Sequence, residues 1–232
     1  ADMASPALAS ATPPTASPWV IWQLVDSAFP AGGLNHSQGL EAAVQSGRVK
    51  GGSGLRKVSV ELLHSQASAS LPLVAAAHAD PSVEGITACD SLCDASLAGN
   101  HVAHRASIAQ GKGLLAAVGA AFPGMNIKQM KIDLGPNFNG HLAPVTGMVC
   151  ARLGVSMLDC ERLFLFITLR SIISAAVRLG VCGPMEGQAI QASVASDIER
   201  VVSGADGEGV QVCGSDRWED EDAFFEGEAG GG

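Results

Sequence analysis

Tyrosine is absent from this chain, and aromatic residues of any kind make up only 4% of its 232 residues. A core built without them has to be filled by Ala, Leu, Val and Ile, and with few Thr to favour strands that composition points to helices. Charge is also sparse, at 16% of residues against 47% hydrophobic ones. That balance excludes a wholly disordered protein, because so much apolar surface has to be buried. Positive charge is scarcest of all. The formal net charge is −9, and residues 204–232 hold nine acids against the single base Arg217. The body, residues 1–203, therefore sets 13 bases against 14 acids. So neutral a body offers no basic footprint for a phosphate backbone, and nucleic acid is not an expected partner.

The motifs of common enzymes are missing as well. There is no G-x-x-x-x-G-K-[ST] phosphate loop, and Gln110-Gly111-Lys112-Gly113 is too short to cradle a nucleotide. Nor is there a G-x-G-x-x-G, an H-E-x-x-H, a C-x-x-C or a G-x-S-x-G. The expectation is a non-enzyme that carries no cofactor. Six cysteines are scattered singly, mostly inside apolar periodic segments, where a free thiol behaves as a small hydrophobe. No secretory leader is visible, and a reducing, cytoplasmic setting is expected. The longest apolar stretch, Leu163 to Leu179, is broken by Arg170 and Arg178. It reads as a buried helix, not a membrane span.

What is present has helical spacing throughout. Ser17 can cap a helix whose first position is Pro18, with Trp19, Trp22 and Val25 recurring behind it. Phe29-Pro30-Ala31-Gly32-Gly33 stops that helix, and a second is expected from Ser37 to Ser46, with Gly47 as its stop. Residues 51–54 read as a flexible connection. An apolar stripe through Leu55, Val58, Leu62 and Leu63 follows, interrupted at Pro72 and resumed from Leu73. Ser82 caps a stripe of Ile86, Cys89, Cys93 and Leu97, and a further helix spans His101 to Val118. Residues 124–140 read as a long loop. Val145, Val149 and Leu153 mark the next helix, ended by Gly154. Ser156 and Asp159 open what reads as the longest helix, running to Gly180, and Pro184 opens a last one closed by Gly204. The prediction is an all-α, single globular domain of about ten helices over 17–203. A disordered leader (1–16) precedes it and an acidic Gly-rich tail (204–232) follows.

Two pairs have spacing compatible with a metal: His101 with His104, and Cys89 with Cys93. The first reads as wet surface and the second as core, so no metal site is expected. Arg170 and Arg178 lie on one side of the most apolar helix, either as snorkelling cations or as anchors of an interface.

Three blocks carry more information than composition does. Trp22 to Glu41 (WQLVDSAFPAGGLNHSQGLE) resembles the N-terminal signature of the UreF family of urease accessory proteins, and His36 within it resembles the plant and algal branch. Asn100, Arg105, Ala106, Ser107, Gln110 and Gly111 resemble its middle block. Arg170-Ser171 through Gly180, then Gly183 to Gln188, resemble its C-terminal block. After Gly204 the chain departs from the family's usual helical close. The resemblance implies an all-helical, non-catalytic factor of urease maturation that dimerises and binds the accessory protein UreD (UreH in some systems). It also implies recruitment of the nickel-carrying GTPase UreG and delivery of nickel to apo-urease. The partner-binding residues expected on this basis are Gln38, Glu41, Asn100, Arg105, Gln110, Arg170, Arg178, Glu186 and Gln188.

Overall fold

The computed structural model describes residues 16–30 and 37–203. The acidic tail, nearly all of the expected leader, and most of the Pro-Gly-Gly turn lie outside the described residues. Within them the chain is all helical, without a strand: α1 Pro18–Val25, α2 Leu40–Gln45, α3 Gly51–Ala79, α4 Val83–Leu97 and α5 His101–Ala121 come first. A short 3₁₀ turn, Pro123–Met125, leads to α6 Ile127–Leu134, α7 Leu142–Arg152, α8 Met157–Arg178, α9 Pro184–Ser193 and α10 Ala195–Val202.

The local start and stop signals act where the sequence puts them. Ser17 accepts from the Trp19 amide, Ser82 from Gly85 and Ser156 from Asp159, each satisfying an amide that the helix itself cannot. Gly47, Gly154 and Gly180 all follow helix ends with positive φ.

Helix α7 is the centre. Every residue from Ala143 to Cys150 is buried, the pattern of a helix surrounded by others. Helix α3 crosses it closely, α8 packs on α3, α5 flanks α7, and α9 and α10 close over α8. The α3–α7 crossing is tight enough to require glycine. A Cβ on Gly147 would sit 2.1 Å from the Val74 carbonyl oxygen and 3.0 Å from the His78 amide nitrogen. Leu55, Val74, Ile86, Leu115, Met148, Leu165, Leu169, Ile172 and Ile190 are all under 2% exposed. Each such aliphatic side chain contributes about 1.5–3 kcal/mol by leaving water.

Several expectations are corrected. Residues 51–54 are not a connection but the first turn of α3, with the Glu186 side chain lying above Gly52. Pro72 does not interrupt that helix, which runs 29 residues and is longer than the 22-residue α8. An internal proline costs about 3 kcal/mol, and burial of Leu63, Ala67, Val74 and Ala77 on both sides of it outweighs that. The loop expected over 124–140 contains α6, which buries Ile127, Met130 and Leu134 on one face. The single closing helix is two, broken at Val194. Helix α2 begins at Leu40 instead of Ser37. On α1, the buried residue is Leu24, and Trp19 and Trp22 stack edge-to-face on the outside at 73% and 57% exposure.

Candidate functional site

The nine expected partner-binding positions fall in separate places. Gln110 is buried and lines, together with Gln38, a narrow interior cavity of about 40 Å³ walled by Leu114, Phe164 and Ile167. Such a space is too small for an organic ligand. Gln110 faces the interior, on the side of α5 that is turned toward α7. Gln38 is half-buried with a φ of 53°, at the turn that starts α2, and Glu41 is exposed one helical turn later.

Arg170 is also turned inward. Its guanidinium donates to the carbonyl of Val25, the last residue of α1, while its Nε is buried without a hydrogen-bond partner. Burial pulls its pKa down, opposed by the charge of Asp26. It therefore caps the C-terminus of α1, where a cation complements the helix dipole. Arg178 and Gln188 are exposed on either side of the α8–α9 corner, with Leu179 and the 82%-exposed Met185 between them. Glu186 is half-buried, and its carboxylate accepts from the Gly183 amide at 3.3 Å. Gly39 lies against Leu62 of α3 while Glu186 lies over Gly52 of the same helix. Ten residues of rise separate these levels by about 15 Å, so the α2 start and the α8–α9 corner are distinct patches.

Asn100 and Arg105 are exposed on the first turns of α5; Asn100 caps the helix by accepting from the Ala103 amide at 3.0 Å. Beside them lies the most polar junction of the described fold, between α4, α5 and the N-terminus of α7. Its base is Asp90, 1% exposed, whose carboxylate accepts from the amides of Asn139, Gly140 and His141 at 2.7, 3.1 and 2.8 Å. Three backbone donors on one buried carboxylate fix the chain entering α7. Gly111 completes the fit, since a Cβ there would stand 2.1 Å from the Gly140 carbonyl oxygen.

On this base, three side chains converge. His104 Nε2 lies 2.7 Å from Asp94 Oδ1, and His141 Nε2 lies 3.2 Å from the same oxygen. Asn139 Nδ2 donates to it as well, at 2.9 Å. The two imidazoles meet edge-to-face with centroids 5.1 Å apart. The hydrogen bonds from His104 and then His141 hold the Asp94 carboxyl below the usual range. His141 Nδ1 is 3.1 Å from Ser107 Oγ, which also accepts from the Leu142 amide. Serine, histidine and aspartate in this order suggest a nucleophilic relay. Ser107 is spent on Leu142 and the Cys93 thiol, however, and is tied inside the junction.

The spacing argument paired the wrong groups. His104 finds its partners in Asp94 and His141, and His101 has no part in the cluster. The cysteine pair is core, as read: Cys89 and Cys93 are buried, and burial pushes both thiols up, Cys93 to about 11.

Comparison with known proteins decides the family. A UreF family model matches residues 50–195. This chain belongs to the UreF family. It is 38% identical over 190 residues to urease accessory protein F of Oryza sativa subsp. indica, covering 79% of this chain and 71% of that one. The corresponding Arabidopsis thaliana protein is 37% identical, covering 79% and 78%. Urease accessory protein UreF of Agrobacterium fabrum is 33% identical, with 77% of each chain covered. Among the described residues no helix of this UreF chain is long and apolar enough to cross a membrane.

Proposed function

We propose that this chain is a non-catalytic factor in urease maturation, a nickel-insertion chaperone that bridges a UreD/UreH-type protein and the GTPase UreG while apo-urease receives nickel. In this reading nickel is cargo, nucleotide chemistry belongs to UreG, and the chain works in the cytoplasm as a homodimer. Family membership carries the proposal, since relatives along most of the chain are named urease accessory proteins. The surface supports it. Arg178 and Gln188 flank the exposed apolar side chains of Leu179 and Met185 at the α8–α9 corner. Arginine beside exposed apolar surface is a common composition for an interface anchor.

The bland alternative is that Arg178, in the last turn of α8, serves only its own helix dipole, worth about 0.3–1 kcal/mol. Arg178→Ala separates the two. The proposal expects a melting temperature close to that of the parent chain, with reduced recovery of UreD and UreG on co-purification and reduced urease activation. Intact assembly with only a lower melting temperature would make the residue a cap and remove this corner from the interface.

A further inference from the structure

We infer that Asp94, His104 and His141 form a binding site for a divalent transition-metal cation of the zinc class, held by two imidazole Nε2 atoms and one carboxylate oxygen. All three ligand atoms lie within 4.8 Å of one another. They come from three different elements, so the fold and not helical spacing brings them together.

The geometry is close to what such an ion demands. Zinc–nitrogen and zinc–oxygen bonds of about 2.1 Å in a tetrahedral arrangement put neighbouring ligand atoms about 3.4 Å apart. His141 Nε2 and Asp94 Oδ1 already stand 3.2 Å apart. His104 Nε2, at 2.7 Å from the same oxygen, has to withdraw by about 0.7 Å. The side chains that must move lie toward solvent: His104 and Asp94 are 28% and 41% exposed, while His141 is at 0%. One ligand is thus a fixed post and two are adjustable at the solvent edge, which also gives the ion a way in and leaves a fourth position for water.

The surroundings orient the fixed ligand as metal-bound histidines are usually oriented. Ser107 Oγ is placed to accept a hydrogen from His141 Nδ1. That tautomer leaves the Nε2 lone pair directed at the site. Asp90 pins the His141 backbone through its three amide contacts. In the metal-free cluster, hydrogens on the imidazole Nε2 atoms bridge to Asp94; binding moves each hydrogen to Nδ1 and puts the cation in its place. Two imidazoles with a single carboxylate favour zinc, nickel, cobalt or copper over magnesium and calcium, which require mostly oxygen.

This inference does not rest on the maturation role; a chain that failed to support urease activation would leave it standing. The test is titration of the full chain at neutral pH with Zn²⁺ against a chromophoric chelator, paired with Co²⁺ absorption. The expected result is one ion per chain and a visible Co²⁺ spectrum of nitrogen and oxygen ligation. Asp94→Ala and His104→Gln should each weaken binding at least tenfold, and Ser107→Ala by about tenfold. His101→Ala should bind as the parent does. Zn²⁺ should raise the melting temperature of the parent and of His101→Ala, but not of His104→Gln. Circular dichroism checks that Asp94→Ala and His104→Gln are folded. The site is overturned by the absence of stoichiometric binding to the parent chain, by affinity that survives both Asp94→Ala and His104→Gln, or by a Co²⁺ spectrum showing thiolate charge transfer.

Discussion

Two polar junctions among the described residues interrupt the apolar bundle, and they are built on different chemistry. Where α3 meets α10, the buried carboxylate of Asp197 takes a hydrogen bond from Arg56 at 3.2 Å and another from Arg200, while Arg56 Nε also reaches Ser193 Oγ at 3.2 Å. Where α4 and α5 meet α7, the cation is replaced by two imidazoles around Asp94. A guanidinium is a permanent donor and cannot give up its hydrogens. The first junction has therefore one electrostatic state and acts as a lock. An imidazole can donate or accept, so the second junction can exchange a hydrogen for another electrophile. Hydrogen-bonded polar groups fasten helices in one place and leave a functional choice in the other.

The comparison can be broken most severely from the dry core that separates the junctions. Gly147→Val forces a side chain into the Val74 carbonyl and must part α3 from α7. The expected loss exceeds about 4 kcal/mol, and the variant should show no cooperative thermal transition. A transition near that of the parent would mean that the helices cross less tightly than described.

Next comes the lock. Asp197→Ala removes the carboxylate between Arg56 and Arg200 at a position where the Asp197 and Arg56 side chains are only 4% and 12% exposed. Breaking a buried pair from one side should cost about 3 kcal/mol by urea denaturation. A cost below about 1 kcal/mol would place this junction with ordinary surface pairs.

The smallest effect belongs to a carboxylate outside both junctions. Asp80 accepts from Ser82, and those hydrogen bonds lower its pKa. A group whose folded pKa is depressed stabilises fully above the unfolded value, and loses that stabilisation as pH falls through the folded one. Asp80→Asn should therefore melt slightly below the parent at neutral pH, and the gap should shrink as pH falls below the ordinary aspartate value of about 3.9. A gap independent of pH would show that charge has no part in it.

Features encoded by neighbours along the chain were legible in the sequence. The caps Ser17, Ser82 and Ser156 and the stops Gly47, Gly154 and Gly180 are short-range chemistry, and the structure keeps them. The misread parts depend on distant packing. Pro72 stays helical in a helix that packs on α7 and α8 and is buried on both sides of the proline, and Gly52 in its first turn lies under Glu186, far along the sequence. Helix α6 was within reach, since Ile127, Met130 and Leu134 keep helical spacing. The metal-ligating cluster was not. Asp94 reads as a solvated residue beside an apolar stripe, and nothing local to His141 points to its partners. Ser107 and Gly111 belong to the middle block that resembles the family, and in the structure they seat the chain that carries His141.

The placement of tryptophan has a practical consequence for all of these measurements. With no tyrosine in the chain, near-ultraviolet absorbance and intrinsic emission come from Trp19, Trp22 and Trp218 alone, apart from weak phenylalanine bands. Trp19 and Trp22 sit together on the outer face of an eight-residue helix and are mostly solvated in the native state. The contribution of Trp19 and Trp22 to an unfolding curve followed by fluorescence reports on α1 and not on the α3–α7–α8 core, which contains neither. Far-ultraviolet dichroism follows the core directly, and the interval between the two curves measures how strongly Arg170 couples the first helix to the rest.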